Sequence, residues 1–89
     1  MNDLMGDVVR RSCAFVIKMD LPIATLKSIL DFLESRKIGL DALQLFPAGG
    51  GETMLILVCQ VEKDRIKHVR QGLEKLPGVI AVDLLEGRG

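Results

Sequence analysis

Apolar side chains recur along the chain with two periods, and the switches between them divide it into six elements. Around Val8 or Arg11 to Met19 the period is two, placing Cys13, Phe15, Ile17 and Met19 on one face and Ala14, Val16 and Lys18 on the other, the pattern of a strand. Asp20, Leu21 and Pro22 interrupt it, and Pro22 suits the first turn of a helix, where its missing N–H costs nothing. From Ile23 to about Arg36, Leu26, Ile29, Leu30 and Leu33 fall at helical spacing, with Lys27, Asp31 and Glu34 opposite. Ile38 to Phe46 reads as a second strand ending at Pro47. The run Gly49-Gly50-Gly51 then supplies the positive-φ freedom of a hairpin turn into a third strand at about Thr53–Val61. From Lys63 or Asp64 to Leu76 the helical period returns through Ile66, Val69, Leu73 and Leu76. Pro77-Gly78 stops it, and Val79–Leu85 alternates as a fourth strand. Met1 to Arg10 is expected to be a flexible lead-in and Glu86–Gly89 a loose tail around a domain at residues 11–85.

This order predicts an α+β, ferredoxin-like βαββαβ sandwich, a four-stranded antiparallel sheet with two helices on one face. The third strand carries Met54, Leu55, Ile56, Leu57, Val58 and Cys59 without a polar break, so both of its faces are apolar. Two short helices cover one face of such a sheet. The other face, or an edge, is expected to meet a partner, which points to an interaction or regulatory module. On the second strand the apolar positions Leu40, Ala42 and Phe46, with Gln44 between them, are expected to share the face opposite Leu43 and Leu45 and to form an oligomer interface.

With 89 residues the chain makes one domain, burying roughly 60–65% of its unfolded surface. Its 12 basic and 12 acidic residues cancel, so charge nominates neither nucleic acid nor an acidic partner. Three Phe, no Trp and no Tyr leave no stacking platform for bases, so RNA recognition through the sheet is not expected. Soft-metal carriers of this topology place thiolates in the loop after the first strand, whereas here that loop is Asp20-Leu21-Pro22; no metal or cofactor is expected. Cys13 and Cys59 lie within apolar strands and read as core thiols. His68 flanks the apolar stripe of the second helix and reads as a solvated side chain rather than half of a dyad with Cys59. The glycine run lacks the Lys-Ser/Thr that follows a phosphate loop and precedes a strand, not a helix. No apolar run reaches the ~18 residues needed to span a bilayer, and a cytoplasmic, non-enzymatic domain is the expectation.

Two segments carry a family resemblance. Ser35-Arg36-Lys37-Ile38-Gly39-Leu40-Asp41-Ala42-Leu43 resembles the approach to the second strand of ACT domains, the small amino-acid-sensing modules of metabolic regulation, and Leu76-Pro77-Gly78-Val79-Ile80-Ala81-Val82 is similar to their final helix stop and short strand. The resemblance runs from about Cys13 to Leu85, and among such chains is particularly to the short regulatory small subunits of acetolactate synthase. It implies no catalytic residues, a homodimer or higher homo-oligomer paired edge to edge through the second strand and first helix, and a catalytic subunit of acetolactate synthase as partner. It also implies an amino-acid effector, branched-chain in that family, held at the interface by the first loop. Carried onto this sequence, that ligand site comprises Asp20, Leu21, Pro22, Ile23, Ala24, Ile38 and Gly39. The family commonly has a glycine in that loop where this chain has Ile23 or Ala24, and an Asn where it has Gly39; a β-branched Ile crowds a bound carboxylate that a glycine would admit. Two other readings stand beside this one: a stand-alone amino-acid sensor binding at a homodimer interface, and an enzyme of the same fold with a site shared between subunits from Asp20 and His68.

Overall fold

The computed structural model describes residues 10–20 and 22–85, so the expected tail and all of the lead-in except Arg10 lie outside the described residues. The elements are β1 (Arg10–Met19), α1 (Pro22–Ser35), β2 (Gly39–Gly49), β3 (Glu52–Glu62), a 3-10 turn at Lys63–Arg65 running into α2 (Ile66–Glu74), and β4 (Val79–Leu85). The four strands form one antiparallel sheet in the order β2-β3-β1-β4. This is the expected ferredoxin-like sandwich.

β1 and β3 are the two central strands, paired without interruption from Arg10 opposite Glu62 to Met19 opposite Thr53. Strand side chains alternate, so this register fixes two rows. Cys13, Phe15, Ile17 and Met19 with Leu55, Leu57, Cys59 and Val61 are buried on the helix-covered side, joined there by Val82 of β4, Ile29 and Leu33 of α1, and Val69 and Leu73 of α2. On the other side Ala14, Val16, Met54, Ile56 and Val58 are half-buried under their own neighbours.

α1 starts at Pro22, and its buried positions are Thr25, Ile29 and Leu33. The expected stripe differs at Leu30, which is 38% exposed. The reason is the second helix: Gly72 of α2 admits the Phe32 ring so closely that a Cβ there would lie 2.5 Å from Cζ. This contact turns the 25-29-33 row down onto the sheet. At about 100° per residue, Leu26, Leu30 and Ile23 are thereby carried to the flank of α1 away from α2.

The end of α1 closes in a Schellman arrangement, in which the Ile38 N–H donates to the Leu33 carbonyl and the Lys37 N–H to that of Glu34, both at 3.0 Å. That motif places Lys37 at φ +57°, where glycine is the usual occupant. The glycine hairpin is as expected: Gly49 pairs with Glu52, and Gly50 and Gly51 have φ of +61° and +79°, both positive as a type I′ turn requires. β2 continues through Pro47, which an edge strand tolerates.

One register shift changes an expectation. Between Leu40 and Ala42 the β2–β3 pairing slips by one residue, with Asp41 as the extra position and its carboxylate accepting a 2.8 Å hydrogen bond from Gln60 Nε2. Leu40 therefore stands opposite Cys59 in the helix-side row, while Ala42, Gln44 and Phe46 stand opposite Val58, Ile56 and Met54 in the other row. Leu40 does not share a face with Ala42, Gln44 and Phe46.

Two outcomes follow for equilibrium unfolding. Lys37→Gly is expected to stabilise the domain by roughly 0.5–1 kcal/mol, the left-handed penalty less the added freedom of the unfolded chain, raising Tm by roughly 2–8 °C. Gly78 has φ +87°, and a Cβ on it would collide with Thr25 Oγ1, so Gly78→Ala should destabilise by about 2–4 kcal/mol. In a Thr25→Ala background the same change should cost distinctly less, because only the backbone strain remains; equal costs in the two backgrounds would remove Thr25 from the explanation.

Candidate functional site

Around the end of β1, three elements meet. The Asp20 N–H donates to the Gly78 carbonyl at 2.8 Å, and the buried Thr25 hydroxyl donates to the Asp20 carbonyl at 2.6 Å. These bonds tie the first loop to α1 and to the loop before β4, using the backbone of Asp20 rather than its side chain. Among the described residues the Asp20 carboxylate makes no hydrogen bond and is exposed. Pro22, Ile23 and Ala24 form the exposed first turn of α1, with Ile23 at 85% exposure; Leu21 lies outside the described residues.

The other proposed ligand contacts are elsewhere. Ile38 is half-buried against the core after α1, and Gly39 opens β2 opposite Gln60. The Asp20 end of the sheet is marked by Met19 opposite Thr53, so the two groups are separated by the seven steps of β3 from Thr53 to Gln60, roughly 24 Å of strand. One chain does not bring Asp20, Ile23 and Ala24 to Ile38 and Gly39. Were two β2 edges to pair antiparallel, the start of one β2 would lie beside the end of the other, toward the end of the sheet that carries the other copy's first loop.

The edge has the surface for such pairing. Leu40 and Leu45, 45% and 42% exposed, lie on the helix-side face of β2, beside the flank of α1 that carries Leu26, Leu30 and Ile23. Sequence reading placed Leu30 in the buried stripe because periodicity says only that it is apolar, and it placed Leu40 on the wrong face because the bulge at Asp41 leaves no mark in the apolar pattern. Ala42 and Gln44 are exposed and Phe46 is half-buried, on the uncovered face of the same strand.

Nothing resembling a catalytic pair assembles. His68 is exposed in the first turns of α2, at the end of the sheet opposite Asp20, and Cys59 is fully buried. Cys13 and Cys59 face each other across β1 and β3 as free thiols. Burial raises both above the ordinary thiol pKa, and Cys59, further raised by Cys13 and Asp41, is pushed up to about 12. Among the described residues no group of three or more His, Cys, Asp or Glu side chains could hold a metal ion, and no helix is long and apolar enough to cross a membrane.

No protein-family model matches the chain, and no curated protein matches it. Solved structures do. The ACT domain from GTP pyrophosphokinase of Chlorobium tepidum superposes with a TM-score of 0.71 at 18% identity, covering 86% of this chain and 100% of that one. The C-terminal domain of the MgtC protein from Mycobacterium tuberculosis gives 0.70 at 18% identity, covering 85% and 86%. The regulatory subunit of aspartate kinase from Thermus thermophilus, in a ligand-free form, gives 0.58 at 17% identity, covering 86% of this chain and 53% of that one. The fold is that of ACT domains.

The thiols provide a check on the packing. With pKa values above those of the unfolded chain, they hold their protons in the folded state where the unfolded chain releases them. The stability they contribute is complete below the unfolded thiol pKa and is lost as pH rises through the folded values, toward about 12 for Cys59. Thermal unfolding should therefore weaken with rising pH in this alkaline range, and Cys59→Ala, although less stable at neutral pH, should lose less over the same interval. Neither thiol should react with a disulfide reagent at pH 8 until the protein is denatured.

Proposed function

We propose that this chain is a non-catalytic regulatory module that pairs through β2 and α1 and binds an amino-acid effector between the two copies. What carries the reading is the set of exposed aliphatic side chains on the edge strand and on α1, Leu40 and Leu45 of β2 with Ile23 and Leu30 of α1. It is the surface needed to unite the two halves of the ligand site, which a single chain keeps at opposite ends. β2 and β4 are both edge strands, and on β2 it is the exposed Leu40 and Leu45 that set the edge apart for pairing.

In the paired form the amides of Ile23 and Ala24 at the start of α1 would receive the effector carboxylate, since a helix N-terminus leaves its first N–H groups without partners. Ile23 would line the site with aliphatic surface, which suits a branched-chain amino acid better than a polar one. Ile38 and Gly39 of the other copy would close it. The further partner we propose is a catalytic subunit of acetolactate synthase, contacted through the uncovered sheet face of Ala42, Gln44 and Phe46, with the chain acting in the cytoplasm. A stand-alone sensor would use the same paired site without that partner, and co-purification with the catalytic subunit distinguishes the two. An enzyme site shared between subunits would have to join the exposed Asp20 of one copy to the exposed His68 of another, and loss of any activity in His68→Ala is its test.

Light scattering on the purified chain should give a dimer or a multiple of it, and Leu45→Glu should yield a folded monomer. In a thermal-shift series, valine, leucine or isoleucine at about a hundred times its dissociation constant should stabilise the native state by about 2.7 kcal/mol, and the shift should vanish in Leu45→Glu. A monomeric parent chain would sink the pairing. A dimer indifferent to all amino acids would remove the effector and leave a scaffold.

A further inference from the structure

At the end of the sheet away from the first loop, the turn after α1 and the end of β3 enclose a cleft of about 220 Å³ lined by Arg36, Lys37, Ile38, Gln60, Glu62 and Arg65, with Val61 at its base. From this cleft we infer a binding site for a phosphate group, either free or carried as a monoester by a small metabolite. Three cations and the carboxylate of Glu62 line it, and the Asp41 carboxylate accepts a hydrogen bond from the lining Gln60, which leaves the cations in the majority. A phosphate monoester, with three acceptor oxygens and about −1.5 to −2 charges at neutral pH, can engage more than one of these cations at once, which a simple carboxylate does less well.

Among the described residues none of Arg36, Lys37 and Arg65 has a carboxylate within ion-pair distance, although ion pairs do form elsewhere, between Lys18 and Glu52 and between Arg70 and Glu74. The Arg36 guanidinium lies over the Phe32 ring, 4.7 Å from its centroid, which limits its freedom and orients its donors before any ligand arrives. Lys37 occupies a left-handed position whose usual residue is glycine. A strained lysine at the lip of a cationic cleft is explained if its charge is used there. The cleft lies within one chain and can bind without the pairing proposed above, although it shares Ile38 with the proposed effector site; loss of dimerisation in Leu45→Glu should therefore leave phosphate binding in place.

The test is a backbone-amide NMR titration of the parent chain with inorganic phosphate and, separately, glycerol phosphate, at fixed pH and ionic strength, with acetate as the control anion. Saturable shifts centred on residues 36–39 and 60–65 are expected for phosphate, with a dissociation constant on the order of 1 mM, and no saturation with acetate. Tighter binding of glycerol phosphate would identify an ester as the source, and equal or weaker binding would identify free phosphate. Arg36→Gln and Arg65→Gln should each weaken binding about tenfold. Lys37→Gly, expected to be more stable than the parent, should also bind more weakly, so its loss of binding could not be ascribed to misfolding. Shifts that rise linearly and appear equally at Lys27 and Lys75 would overturn the site, as would full affinity in Lys37→Gly and Arg65→Gln together.

Discussion

The uninterrupted ladder between β1 and β3 is the constraint on which the remaining structure depends. Once Phe15 is set opposite Leu57 and Ile17 opposite Leu55, every side chain of the two central strands is assigned to one face. Both helices must then dock on the face that receives Phe15, Ile17, Leu55 and Leu57, all of them without exposed surface. A slip of β1 by one residue against β3 would put Ala14, Val16 and Lys18 under the helices and Phe15 and Ile17 into water. Burial of the larger row, at roughly 1.5–3 kcal/mol per side chain, decides against it.

The helices are placed by what they meet above the sheet as well as below it. Gly72 lets Phe32 approach α2, and the resulting rotation of α1 turns Thr25 inward, where its hydroxyl finds the Asp20 carbonyl. The same rotation turns Leu30 outward. A single missing side chain in α2 thus bears on both the tie that fixes the first loop and the apolar flank beside β2.

Most of the architecture was legible because the two periods are clean in this sequence. The bounds of β4, the hairpin at Gly49–Gly51 and the two faces of β1 come directly from alternation and turn chemistry, whereas the all-apolar run of β3 takes its buried face from its register with β1. Leu40 was misplaced because a bulge inserts one residue without a mark in the apolar pattern; Asp41, held by Gln60, is the inserted residue. Thr25 was missed because a hydroxyl in a helix reads as polar until its acceptor is known. The ligand site was legible only as two segments, since their 24 Å separation follows from strand order and direction, which sequence spacing does not show. The cationic cleft escaped notice because Arg36 and Arg65 are distant in the chain and meet only through the closure of α1 and the end of β3.

The free edge of β2 is bracketed. Pro47 has no amide hydrogen to offer at one end, and the bulge at Asp41 bends the strand at the other, leaving Ala42–Phe46 as the regular stretch between them. A neighbouring strand finds about five residues of ladder there and nothing to extend it. If two copies meet at this window about a twofold axis, each consumes the other's edge, and only the short, bulged β4 remains on either side. In such a pair the sheet would double through β2 and expose only the seven-residue, bulged β4 for any further growth.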